Sequence, residues 1–350
     1  MNNTHRPKRF DSVKDALTKE HGATLAPQNL SKKLASILGL DISPALPQTQ
    51  EKQHIQTLAS TTPSKSKIHL IQGTAGLAIN RNSTHLYFQT WDNSISVMDT
   101  ESLGVVKRYE FGGYPTVEAF DPDDRLAYAN DLRSSCLWVI DTVREVVEPG
   151  ANVESGGFDL ILSPDAKHIY TCGGLNNGYL KIIDTLEQTV KKTLPIKSYP
   201  YTLAANSDGS RLYVCCWDGE SDNDPCHIEV IDTTSGGIVA STPFYGVPYA
   251  MAVSPINHHI YIADLTGHSV QVFDTATNQI TKTINIGASV VDVCCSPGGK
   301  HLYAATYGSR VLVIDTENLE IIQKIDTDKN ELREIRTRSD NGDLYVLFFK

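Results

Sequence analysis

The chain has 350 residues, 40% apolar, 8% aromatic and 21% charged, with a formal net charge of −10. That apolar content is enough to bury a large core and excludes wholesale disorder, while the acidic balance excludes the basic surface that a nucleic-acid binder needs. No apolar run approaches the roughly 20 residues of a membrane-spanning helix, and the basic start MNNTHRPKRF is followed by no apolar stretch of the secretory kind, so a soluble, cytoplasmic protein is expected.

Charge divides the chain. Residues 1–65 hold nine Lys/Arg and five Asp/Glu, a balance of +4, which leaves −14 for the rest (−10 − 4 = −14). Residues 1–53 read as an N-terminal extension and linker. Ser12 with Asp15 predicts a capped helix over about 12–20. Asn29 predicts the start of a second helix, about 30–39, with Leu30, Leu34, Ile37 and Leu38 on one face and Gly39 at its end. Pro44 and Pro47 then mark linker. The apolar face beside Lys32 and Lys33 suits docking onto a partner or onto the chain's own acidic remainder.

From residue 77 the chain repeats. An aliphatic-Tyr pair or close variant carries Tyr87, Tyr128, Tyr170, Tyr213, Tyr261, Tyr303 and Tyr345, spaced 41, 42, 43, 48, 42 and 42. An apolar run ending in Asp-Thr keeps the same phase, with Asp99, Asp141, Asp184, Asp232, Asp274 and Asp315. Each period holds four short runs rich in Val, Ile, Tyr and Thr between turn residues. That excludes helical repeats of the same length and predicts four-stranded antiparallel β-propeller blades. Six periods are complete, and a seventh has only two strands before Lys350. Two N-terminal strands are expected to complete it, since an open blade would leave an unpaired edge. KIHLIQG (67–73) resembles a fourth strand and HIQTLAST (54–61) a third. The fold class is therefore all-β, a seven-bladed propeller over 54–350.

The repeated text reads SPDAKHIY with KIIDT, NSDGSRLYV with EVIDT and SPGGKHLYA with LVIDT. It resembles the YVTN-type seven-bladed propeller family. The resemblance implies a ligand face where loops from fourth to first strands meet loops from second to third strands. On that face the aromatic and basic candidates for ligand contact are Trp91, Tyr114, Phe158, Tyr201, Trp217, Tyr249, Tyr307 and Arg333. Asp159, His268, Asp292 and Glu334 are the acid-base candidates. The repeated Tyr and Asp-Thr residues are instead architectural, and His85, His168, His259 and His301 sit in four different blades, too far apart to share a metal.

An insertion in blade four, CCWDGESDNDPCH (215–227), alternates Asp218, Glu220, Asp222 and Asp224. It resembles an oxygen-rich cation loop but lacks the full calcium-loop pattern. Seven cysteines, an odd count with two adjacent pairs, argue for free thiols. No phosphate-binding glycine motif, G-x-S-x-G or H-E-x-x-H occurs, so no cofactor is expected. Two functions remain open: a module that binds a small molecule, peptide or protein, and a lyase, hydrolase or isomerase using the same funnel.

Overall fold

The computed structural model describes residues 55–58, 66–111, 113–131, 134–153, 157–174, 178–196, 199–217, 226–329 and 331–349. The N-terminal extension and the acidic run Asp218–Asp224 lie outside them.

Among the described residues, twenty-eight strands form seven four-stranded sheets. Two of them, β1 (Ile55–Leu58) and β2 (Ile68–Gln72), precede the first full blade. Blade one is β3 (Ala75–Ile79), β4 (His85–Gln89), β5 (Ser94–Asp99) and β6 (Val105–Glu110). Blade two is β7 (Pro115–Phe120), β8 (Leu126–Asp131), β9 (Cys136–Asp141) and β10 (Val146–Asn152). Blade three is β11 (Gly157–Leu162), β12 (His168–Gly173), β13 (Gly178–Asp184) and β14 (Thr189–Ile196). Blade four is β15 (Tyr199–Ala205), β16 (Arg211–Trp217), β17 (Cys226–Asp232) and β18 (Ile238–Phe244). Blade five is β19 (Pro248–Val253), β20 (His259–Asp264), β21 (Ser269–Asp274) and β22 (Gln279–Asn285). Blade six is β23 (Val290–Cys295), β24 (His301–Thr306), β25 (Arg310–Asp315) and β26 (Ile321–Asp326). Blade seven joins β27 (Leu332–Thr337) and β28 (Leu344–Phe348) to the two N-terminal strands.

The seventh blade closes as expected, but its outer strands are exchanged. The order is β1-β2-β28-β27, so KIHLIQG is third and β1 is outermost. Direction explains the difference. β2 leads straight into β3 and must run as a fourth strand does, yet it lies beside β28 and therefore pairs with it in parallel. Every other pairing is antiparallel, as in the other six blades. Burial explains the position: Ile68, Leu70 and Ile71 are sealed, which suits an inner place, whereas fourth strands such as β22 are mostly exposed.

The repeated residues hold the blades together. In the turn from third to fourth strand, Asp99 accepts from the amides of Glu101 and Ser102, and Asp141, Asp184, Asp274 and Asp315 cap their turns in the same way. The neighbouring Thr ties that turn to the one between first and second strands. Its hydroxyl donates to the carbonyl of Ser83, Asp124, Ala166, Gly209 or Gly299, each with positive φ. All seven repeat tyrosines are buried. Tyr345 of blade seven donates to the Thr100 carbonyl of blade one at 3.1 Å, so at that junction the repeat Tyr bridges neighbouring blades.

Candidate functional site

Each first strand lines the central channel that a propeller encloses, and each carries a bulge near its start. The register slips between Gly157 and Asp159, Pro200 and Thr202, Pro248 and Ala250, Val290 and Asp292, and Leu332 and Glu334. A bulge leaves one residue unpaired and re-aims its side chain. The residues so placed are Phe158, Tyr201, Tyr249, Val291 and Arg333, in five successive blades. Phe158 stacks on Tyr201 with centroids 6.0 Å apart, and Tyr201 meets Tyr249 at 5.5 Å. These distances lie within the range of favourable aromatic pairs. Three candidates thus form one continuous arc. Burial, followed by the neighbouring Tyr249, pushes the Tyr201 phenol upward.

A second aromatic group lies at the ends of second strands. Trp91 meets Phe349 at 4.5 Å, and the Arg333 guanidinium lies over Phe349 at 4.8 Å and Tyr307 at 5.8 Å. Phe349 is a functional candidate that the sequence reading overlooked. The signal was present: it stands four residues after the repeat Tyr345, as Trp91, Trp217 and Tyr307 stand four after theirs. The Tyr114 amide donates to Asp131 at 2.8 Å. Trp217 ends β16, and its side chain lies outside the described residues.

The residue after the bulge carries an acid in three blades, and each acid binds the next blade. Asp159 accepts from Thr202 Oγ1 and the Leu203 amide, both at 2.8 Å. Asp292 accepts from the Ile335 amide at 2.9 Å and from Arg336 at 2.5 Å. Glu334 accepts from the amides of Gly76 and Leu77 at 2.6 and 2.8 Å, and from Arg336 at 3.3 Å. Gly76 is required there: its φ is +67° and an added Cβ would stand 2.9 Å from Thr116. Burial pushes Asp159 and Glu334 upward against these donors. Burial also opposes the Arg336 charge, but Asp292 and Glu334 outweigh it and hold the guanidinium ionised.

Glu118 of β7 joins this cluster and was also overlooked. The bulge of β7 falls one position later than in the other first strands, between Val117 and Ala119, so the acid is the bulged residue. Its carboxyl accepts from Thr116 at 2.7 Å and Asn130 at 3.3 Å. Burial first, then the charges of Asp159 and Glu334, push it well above the ordinary glutamate range. His268 is not drawn into the group. It sits exposed in the β20–β21 turn, where its ring meets Ser289 Oγ at 3.2 Å. Among the described residues no group of three or more His, Cys, Asp and Glu is placed to hold a metal ion.

The seven-bladed arrangement is shared with solved structures. Hydrazine synthase of Kuenenia stuttgartiensis superposes with a TM-score of 0.69 at 17% identity, covering 76% of this chain and 90% of that one. At that identity the likeness establishes the fold alone. No protein-family profile and no curated protein matches the sequence. Fold and geometry together define a seven-bladed β-propeller with an aromatic and charged channel mouth. Among the described residues no helix is long and apolar enough to cross a membrane.

Proposed function

We propose that this chain is a YVTN-type binding propeller that takes a small organic molecule at the mouth of its channel. The observation that carries the reading is the Phe158–Tyr201–Tyr249 arc, built by the same bulge in three successive blades. Aromatic faces beside a few fixed polar groups suit capture of a small ring-bearing ligand. The repeated SPDxxxxY and IDT text supports the family assignment. A negative propeller disfavours nucleic acid as a partner. Seven free thiols suit a reducing, cytoplasmic compartment. Residues 1–53, with their basic balance, are proposed as a separate docking extension.

An acid-base enzyme is the second reading, favoured by the convergence of Glu118, Asp159 and Glu334 with raised carboxyls. Binding is preferred because both oxygens of Asp159, Asp292 and Glu334 already accept hydrogen bonds, from their own strand or from the next blade. The test is a thermal-shift panel of small phenols, indoles, heteroaromatic amines and sugars on the wild type and a Tyr201→Ala/Tyr249→Ala variant. A true ligand at a hundred times its Kd stabilises by about 2.7 kcal/mol. At least one ring compound should raise the wild-type melting temperature and leave the variant unmoved. No response from any compound, or equal responses of the two proteins, overturns the reading.

A further inference from the structure

The channel mouth places two acids beside its aromatic arc, and that arrangement narrows the ligand class. This inference rests on the aromatic arc as the binding site. Going round the ring, blade two supplies Glu118, blade three Phe158 and Asp159, blade four Tyr201 and blade five Tyr249. The arginines come from blade seven, Arg333 and Arg336. Arg336 neutralises the carboxylates on its own side, reaching Asp292 at 2.5 Å and Glu334 at 3.3 Å. Arg333 is engaged with Glu331 at 3.9 Å and with the rings of Tyr307 and Phe349. Glu118 and Asp159 stand on the aromatic side. Among the described residues neither has a Lys or Arg within salt-bridge distance, and their hydrogen bonds come from neutral hydroxyl, amide and backbone donors.

Two acids close together in a confined channel disfavour each other's ionisation, and a bound cation relieves that repulsion as the Glu118 proton leaves to solvent. The flanking π faces favour the same occupant, because a ring quadrupole attracts positive charge at its face. An anion would meet the repulsion of both acids. A carboxylate offers about four lone-pair sites, so Glu118, which accepts from the side chains of Thr116 and Asn130, keeps capacity for a ligand N–H.

We infer that the site takes a small organic cation, an aromatic ammonium compound whose ring lies against Tyr201 and Tyr249 and whose nitrogen is held by Glu118, beside the already hydrogen-bonded Asp159. The test is isothermal titration of the full-length protein with three probes of one shape: tyramine (cation), 4-ethylphenol (neutral) and 4-hydroxyphenylacetate (anion). Tyramine should bind at least about tenfold more tightly than 4-ethylphenol, roughly the gain of one desolvated cation–π contact or charge pair, and the anion should bind most weakly. Glu118→Gln, which keeps the shape and removes the charge, should bring tyramine down to the level of 4-ethylphenol and leave the neutral probe unchanged. Tyr201→Ala should weaken both. Equal affinity for cation and neutral probe, or preference for the anion, overturns the charge assignment and leaves the arc as a binding site. Failure of all three probes on a folded wild type overturns the assignment together with the site it rests on.

Discussion

Single residues here serve the ring before they serve a ligand. Asp292 is buried, and its carboxylate holds both the Ile335 amide and Arg336. Asp292→Ala strands a buried donor and a cation, so a loss of about 3 kcal/mol is expected by urea denaturation, with Asp292→Asn losing less. Glu118 gives a pH signature. Its folded value lies above the ordinary 4.5, so the native state holds the extra proton and stability falls as pH rises through the window above 4.5. Glu118→Gln should flatten that part of the melting-temperature profile, and an unchanged slope would show that the proton sits elsewhere. The turn aspartates act in the opposite sense. Backbone amides hold Asp99, Asp141, Asp184 and Asp232 below the ordinary aspartate value, so their stabilisation is lost only as acid protonates them.

At the level of the strand, the Asp-Thr turns and the seventh blade carry the argument. Thr316 is buried and donates at 2.6 Å to the Gly299 carbonyl. Thr316→Val should cost about 1 kcal/mol, read as a lower denaturation midpoint at constant m-value. Closure rests on β2, whose Ile68, Leu70 and Ile71 are sealed against blade seven and its neighbours. Deleting residues 1–53 should leave cooperative melting in place, whereas deleting 1–75 should abolish it; equal melting of the two would refute the shared blade. The strands were legible because period, turn residues and the Asp-Thr text all report local chemistry. The third place of β2 was not, since its likeness to a fourth strand reflects only the direction imposed by β3. The stretch Ile68 to Ile71, apolar but for His69 where β22 has five polar residues, was the available warning.

Across the whole ring, a long-range arrangement emerges that no local pattern states. Asp159, Asp292 and Glu334 could be picked out as acids at equivalent positions, but their engagement with the next blade depends on how seven sheets meet. Glu118 escaped notice because its bulge slipped by one residue, and Phe349 because it lies past the last strand. The −14 of the propeller did foreshadow a cation-tolerant channel, while the placing of Glu118 and Asp159 beside the aromatic arc required the structure. The most direct test of the central claim is a crystal structure of the protein with the tightest ring compound from the thermal-shift panel. The ligand ring is expected in the channel mouth, its centroid about 4.5–7 Å from those of Tyr201 and Tyr249. A ligand bound elsewhere, with the arc unoccupied, would contradict the account.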